Sequence, residues 1–248
     1  MTITPTAAQT TSQSTLATLA IDIGGTGLKA LLLGPDGTPT TERVRVPTPK
    51  PATTSAVLEA LVVLVQPLPA YDRVSVGFPG VVVDGVTRTA PNLDPSWKDF
   101  DLSGELGRRL HRSVRVLNDA GVQGYGDIEG QGLEMVLTFG TGLGCALYYN
   151  GVYVPNLELA HHPFRHGKTY EEYVGNAARK DVGKNKWNKR VARVVAQVLT
   201  TWNPRKLYLG GGNAKHLDIE LPPDVAIASN VAGLLGGIAL WKEDPKRG

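Results

Sequence analysis

The fold is decided by residues 19–33, which read LAIDIGGTGLKALLL. Apolar residues on both sides of a glycine-rich centre predict two strands joined by a tight turn. Glycine lets backbone N–H groups approach an anion closely, and a carboxylate beside that anion requires a cation between them. The turn therefore favours a site for phosphate and Mg²⁺, with Asp22 holding the ion directly or through water. A glycine-rich hairpin turn without a ligand is the alternative.

In the form Asp-Ile-Gly-Gly-Thr-x-x-Lys, which ends at Lys29, this segment resembles the first phosphate motif of the actin, hexokinase and heat-shock ATPase superfamily. The form is similar to that of the ROK branch, which holds sugar kinases and related repressors. The resemblance implies an α/β fold of two RNase H-like domains with a cleft between them.

A second strand–glycine–strand pattern begins near residue 135 and suggests a duplication. We expect a disordered tail over residues 1–17, a first domain over 18–117 and a second domain over 118–229. A final helix over 230–245 can pack back on the first domain. A single α/β domain with two similar turns is the alternative.

Composition sets broad limits. The chain has 248 residues, of which 42% are hydrophobic and 20% are charged, as in ordinary globular proteins. The sole cysteine, Cys145, excludes an internal disulfide and a multi-cysteine zinc site. The longest apolar runs are too short to span a bilayer, and residues 1–17 lack the pattern of a signal peptide. We expect a cytoplasmic protein without membrane or nucleic-acid partners.

The second glycine turn, residues 138–144, reads TFGTGLG and resembles the second phosphate motif of the family. Residues 210–213, GGGN, resemble the glycines that pack against the nucleotide in relatives that use ATP; a strand-to-helix turn is the alternative. The resemblance assigns the phosphate donor to the following residues: Asp22, Gly24, Gly25, Thr26, Gly27, Lys29, Gly140, Thr141, Gly142 and Gly211.

Asn118 and Asp119 follow a predicted strand, where an α/β sheet exposes side chains to a crevice. An aspartate there can accept the proton of a hydroxyl that attacks phosphorus. In isolation, Asn-Asp before a helix is also a common N-cap. The pair resembles the catalytic aspartate of the family and a sugar-binding asparagine before it.

Other segments resemble the sugar site. Residues 158–161, ELAH, match a Glu-x-Gly-His motif except that Ala160 replaces glycine. Glu171 is implied as a second glutamate of the sugar site, and Glu172 is the alternative candidate. A different interpretation of both residues is an exposed carboxylate on a helix face. The sugar set implied is Asn92, Asn118, Asp119, Glu158, His161 and Glu171. Many family members follow the histidine with three zinc-binding cysteines; this chain has none there, so we expect no structural zinc.

Four cations fall on one helix face at spacings of three and four residues: Lys186, Lys189, Arg190 and Arg193. The face is either solvated or a track for a polyanion longer than ATP. This segment, with the chain after residue 18, resembles the polyphosphate-dependent glucokinases of the family.

The resemblance implies a homodimeric kinase that transfers a phosphoryl group from inorganic polyphosphate, with ATP as a further donor, to the 6-hydroxyl of glucose with Mg²⁺. The alternatives are an ATP-only kinase for glucose, mannose or N-acetylmannosamine, and a sugar- or phosphate-binding protein without turnover. A repressor of this family needs a helix-turn-helix, and none fits the polar residues before the first strand.

Overall fold

The computed structural model describes residues 16–91, 93–155, 157–228 and 236–241. In the first half the elements are β1 (Thr18–Ile23), β2 (Gly27–Leu33), β3 (Val44–Pro47), α1 (Thr54–Val65), β4 (Arg73–Phe78), β5 (Val82–Val83), β6 (Val86–Thr87), β7 (Phe100–Asp101), α2 (Leu102–Leu110) and β8 (Ser113–Asn118).

The second half contains α3 (Asp119–Gly124), β9 (Leu133–Phe139), β10 (Leu143–Tyr149), β11 (Val152–Val154), β12 (Pro163–Arg165), β13 (Lys168–Thr169), α4 (Tyr170–Val174), α5 (Asn176–Trp202), β14 (Lys206–Gly210) and β15 (Val225–Ile227). Short 3-10 turns lie at Pro95–Trp97, Leu159–His161, Ala214–His216 and Gly236–Trp241.

Two five-stranded sheets repeat one topology. Their strand orders are β3-β2-β1-β4-β8 and β11-β10-β9-β14-β15. In each sheet an antiparallel three-stranded meander continues into two parallel strands. The repeat agrees with the predicted two-part α/β fold of the actin and hexokinase superfamily. The predicted boundary at residue 117 falls near the end of β8 and stays a prediction.

The first sheet is covered by α1, which begins where the Thr53 hydroxyl accepts a hydrogen bond from the Ala56 N–H. The helix buries Val57, Leu58 and Leu61 against apolar side chains of β1 and β4. Because β1 and β4 are central strands, both of their faces are covered, and five of the six residues of each strand are buried. This rigid centre fixes the residues at its carboxyl edge, Asp22 and Gly77, side by side.

The second sheet packs against α5. Trp187 lies fully buried on the sheet, and its indole N–H donates to the Val174 carbonyl oxygen at 2.7 Å. The preceding helix α4 is short, and α5 continues through a break at Gly183, where φ is 76°. Among the described residues no helix is long and apolar enough to cross a membrane.

Residues 236–241 pack against the face of the first sheet that α1 does not cover. The Ser75 hydroxyl donates to the Gly237 carbonyl oxygen at 2.6 Å and accepts from the Trp241 indole N–H at 2.8 Å. The Trp241 ring lies between the guanidinium groups of Arg73 and Arg115, 5.1 and 4.6 Å from its centroid. The helix predicted over residues 230–245 lies largely outside the described residues.

Ser75→Ala should lower the free energy of unfolding by about 2 kcal/mol, because it leaves a buried carbonyl oxygen and an indole N–H without their partner. Chemical denaturation followed by circular dichroism measures this change. The control is Ser55→Ala, since Ser55 is an exposed serine on α1 and its loss should change stability by less than about 0.5 kcal/mol. Equal effects of the two variants would contradict the role of Ser75.

Candidate active site

A cavity of about 590 Å³ lies between the two sheets. Most of the predicted site residues line it, namely Asp22, Gly24, Gly25, Thr26, Lys29, Asn118, Asp119, Gly140, Thr141, Gly142, Glu158, His161, Glu171 and Gly211. Gly27 and the four cations of the predicted track do not line it. Asn92 lies outside the described residues. The structure therefore gathers residues that are up to 189 positions apart, from Asp22 to Gly211, in one place.

The first glycine turn connects β1 to β2 at the cavity. Its closing hydrogen bond runs from the Gly24 N–H to the Gly27 carbonyl oxygen at 3.1 Å. Across the strand pair, Lys29 Nζ lies 2.6 Å from Asp22 Oδ2, and both side chains keep part of their surface open to solvent. The turn thus presents backbone N–H groups, one ammonium and one carboxylate to the same space.

The second glycine turn is held by Glu171. The Glu171 Oε2 atom accepts a hydrogen bond from the Leu143 N–H at 3.2 Å, and it packs so closely over Gly142 that a Cβ there would lie 1.8 Å from it. On the other side, the Asn213 side-chain N–H donates to the Gly140 carbonyl oxygen at 2.9 Å. The turn is therefore fixed from α4 and from the loop after β14.

Asp119 begins α3 directly after β8. One of its carboxylate oxygens accepts a hydrogen bond from the Ala120 N–H at 2.7 Å. Burial raises the pKa of this carboxyl to about 7, and the negative charge of Asp22 contributes further in the same direction. Asp119 is thus a carboxyl that changes protonation near neutral pH inside a cavity, which is the property required of a general base.

Asn118 is the N-cap of α3, which the sequence analysis gave as the alternative interpretation of the Asn-Asp pair. Its side-chain oxygen accepts from the N–H groups of Ala120 and Gly121 at 3.0 and 3.3 Å, and its amide donates to the Gly80 carbonyl oxygen at 3.2 Å. The side chain still lines the cavity. Asn118 therefore fixes the direction of α3 and with it the position of Asp119.

Glu158 and His161 lie together at another part of the cavity wall, with Oε2 and Nε2 3.5 Å apart. Burial raises the pKa of Glu158, while the neighbouring His161 acts in the opposite direction. Glu171 also lines the cavity. By contrast, Glu172 is exposed and closes a capping box with Thr169, so the geometry favours Glu171 over Glu172 as a ligand.

Gln123 and Cys145 are among the lining residues that the sequence analysis did not assign to the site. Gln123 stands four residues after Asp119 on α3, so helical spacing places both on one face; that signal was available. Cys145 lies on β10 at the cavity wall, and burial raises the pKa of its thiol to about 12. Cys145 belongs to no motif. Its position at the cavity wall follows only from the alternation of side chains between the two faces of β10.

The four cations of the predicted track occupy the outer side of α5. Lys186 and Lys189 are exposed. The Arg190 guanidinium lies 4.8 Å from the centre of the Tyr173 ring, and Arg193 donates to the Tyr173 hydroxyl at 3.1 Å. Within the described ranges no three His, Cys, Asp or Glu side chains are grouped as a metal site.

A family model agrees with this geometry. The model described as the ROK family matches residues 18–155, which include the first glycine turn, Asp119 and the second glycine turn. The chain belongs to the ROK family.

Relatives of this ROK protein extend the match over most of the chain. A polyphosphate glucokinase of Mycobacterium tuberculosis is 34% identical over 233 residues, which cover 87% of this chain and 88% of the relative. An N-acetylmannosamine kinase of Escherichia coli is 35% identical over 142 residues, covering 55% of this chain and 48% of the relative. The crystal structure of an inorganic polyphosphate/ATP-glucomannokinase from Arthrobacter sp. has a TM-score of 0.83 and 33% identity, covering 91% of this chain and 99% of that one.

Gly142→Ala should raise the KM for both substrates on the order of 10-fold, because the new methyl group displaces Glu171 and shifts the turn that it holds. Gly140→Ala is the matched control in the same turn, since a Cβ at Gly140 meets nothing within 4 Å. Steady-state kinetics with the sugar and the donor varied in turn measures both variants. The interpretation fails if Gly142→Ala is as active as Gly140→Ala.

Proposed function

We propose that this ROK-family sugar kinase transfers a phosphoryl group from inorganic polyphosphate to the 6-hydroxyl of glucose and accepts ATP as a further donor. One observation carries the proposal: two glycine turns and a carboxyl with a pKa of about 7 share a single cavity. Phosphoryl transfer depends mainly on alignment and charge neutralisation, with a base for the attacking hydroxyl. The cavity offers groups for each of these tasks.

Asp119 is the proposed base. Its carboxylate form takes the proton of the glucose 6-hydroxyl as that oxygen bonds to the transferring phosphorus. The environment that raises its pKa also makes the proton transfer more favourable than it would be for an ordinary aspartate. Because Asn118 caps α3 beside it, the carboxyl does not have to be ordered when the substrate binds.

The donor is proposed to lie against the two glycine turns. Backbone N–H groups and the Lys29 ammonium face the cavity, as a chain of phosphates requires. The nearby Asp22 carboxylate fits Mg²⁺, directly or through water, because Mg²⁺ prefers oxygen ligands and is commonly held by one or two carboxylates together with substrate phosphates. When bound, the ion supplies positive charge that neutralises the transferring phosphoryl group.

The sugar is proposed to lie against Glu158, His161 and Glu171, with Asn118 beside them. Carboxylates accept from sugar hydroxyls, and imidazole and amide groups can both donate and accept. Glu171 holds the second glycine turn through the Leu143 N–H, so a sugar hydroxyl bonded to Glu171 would be coupled directly to the donor site. A contact from Asn92 remains a prediction.

The choice of polyphosphate as donor is supported by relatives named for it, at 34% and 33% identity over most of the chain. The outer cations of α5, Lys186, Lys189, Arg190 and Arg193, are proposed to attract the distal part of a long polyphosphate chain. A homodimer is proposed from the family resemblance. An ATP-only hexose kinase is the second candidate, favoured by the similarity to an N-acetylmannosamine kinase.

Asp119→Asn should lower kcat on the order of 10²-fold or more, because the amide cannot accept the proton. In the unchanged enzyme, kcat/KM should rise with pH to a plateau above about 7, since the raised pKa keeps Asp119 protonated below that value. Glu172→Gln is the control, because this exposed carboxylate caps α4 outside the cavity. Near-normal turnover of Asp119→Asn would exclude the role of Asp119 as base.

The donor is tested by measuring glucose 6-phosphate formation with Mg²⁺ and either long-chain polyphosphate or ATP, each free of the other. We expect turnover with polyphosphate, because the cavity recognises a phosphate chain through backbone N–H groups and cations. Turnover with ATP alone would favour the second candidate. Failure with both donors would contradict the proposed activity on glucose.

A further inference from the structure

A second basic group lies where α5 meets the loop after β14. It consists of Arg179, Lys184, Lys215 and His216, here called the inner basic cluster. Burial lowers the pKa of His216, and the positive charges of Arg179, Lys215 and Lys184 lower it further, in that order. The three cations therefore lie close enough to His216 for their charges to act on it, and they favour its neutral form.

The inner basic cluster is connected to the second glycine turn by side-chain amides. Asn213 donates to the Gly140 carbonyl oxygen at 2.9 Å and to Asn176 Oδ1 at 3.5 Å. Arg179 donates to the same Asn176 oxygen through Nη2 at 3.0 Å. Three hydrogen bonds thus lead from the cavity wall to the Arg179 guanidinium, and none of them uses a carboxylate that would neutralise it.

The loop after β14 brings the other members beside this connection. The Ala214 N–H donates to the Gly211 carbonyl oxygen at 3.0 Å, which closes a turn between the cavity-lining Gly211 and the next two residues, Lys215 and His216. Asn188 then ties the two elements together, donating to the carbonyl oxygens of Lys184 and His216 at 3.0 and 3.1 Å. The backbone at Lys184 and His216 is therefore held in place by partly buried contacts.

The local acids neutralise the cluster only in part. Lys184 Nζ lies 3.3 Å from Asp218 Oδ2, in a pair that is more than half exposed. Asp181 lies on the exposed side of α5 between Arg179 and Lys184. Lys215 is exposed, and its ammonium makes no ion pair with any residue that the structure describes. A net positive surface therefore stands beside the donor turns.

The outer cations have no such connection. Arg190 and Arg193 point to Tyr173 on α4, and Lys186 and Lys189 face solvent. A phosphate chain that leaves the cavity past Gly140 and Gly211 therefore meets the inner basic cluster before it can reach the outer cations.

We propose that the inner basic cluster binds the phosphoryl groups of the donor that lie immediately behind the transferring one. The inference rests on the proposed use of polyphosphate, and it adds a second subsite to the proposed donor site. Arg179 supplies a planar guanidinium that can bind two phosphate oxygens, while Lys215 and Lys184 supply mobile ammonium groups. The ligand class is a linear chain of phosphates, short or long.

The test compares Arg179→Gln/Lys215→Gln with Lys98→Gln/Lys180→Gln. Both double variants remove two positive charges, and Lys98 and Lys180 are exposed and outside the cavity. The Kd for tripolyphosphate, measured by titration calorimetry, should rise on the order of 10-fold in the cluster variant and stay within about 2-fold in the control. Its salt dependence should also weaken, because fewer ion pairs form.

The KM for glucose and the melting temperature should be unchanged in the cluster variant, which separates lost binding from a structural effect. Lys215→Gln alone is measured as well, since the exposed Lys215 side chain makes no hydrogen bond or ion pair with the part of the chain that the structure describes. Equal tripolyphosphate affinity in the cluster variant and the control would overturn the inference while leaving the proposed function intact. A wild-type protein that neither binds nor uses polyphosphate would overturn the proposed function and this inference together.

Discussion

The repulsion between carboxylates is the constraint on which the candidate site depends. Asp22, Asp119 and Glu158 all face one cavity, and the charge of Asp22 helps to hold the pKa of Asp119 near neutrality. Such an arrangement costs free energy unless cations or N–H donors lie close by. Lys29 and the N–H groups of the two glycine turns partly provide them, and a metal–phosphate complex would complete the balance.

Glu171 links the proposed donor site to the proposed sugar site. The carboxylate packs on Gly142 and holds the Leu143 N–H, and it lines the same cavity as Glu158 and His161. Only glycine at position 142 allows this approach. The residue that fixes the second glycine turn thus also lines the proposed sugar site, so a change in one part of the proposed site would be transmitted to the other through a single side chain.

The sequence predicted the two glycine turns, the duplicated sheet and the position of Asp119, because each depends on local patterns: apolar strands, glycine between them and a polar residue at a strand end. It did not predict Cys145 as a lining residue, since its place depends on which face of β10 meets the cavity. The choice between Glu171 and Glu172 also needed the structure. Adjacent residues on a helix have similar propensities, and the structure distinguishes them because Glu171 lines the cavity while Glu172 closes a capping box.

Helix α3 packs against strands of both sheets, and residues 236–241 press on it from behind while bonded to Ser75. The chain passes from the first sheet to the second at α3, and residues 236–241 lie again at the first sheet. A rotation of one sheet relative to the other would therefore have its axis close to α3. Near an axis displacements are small, so such a rotation would bring the glycine turns together while Asp119 hardly moved.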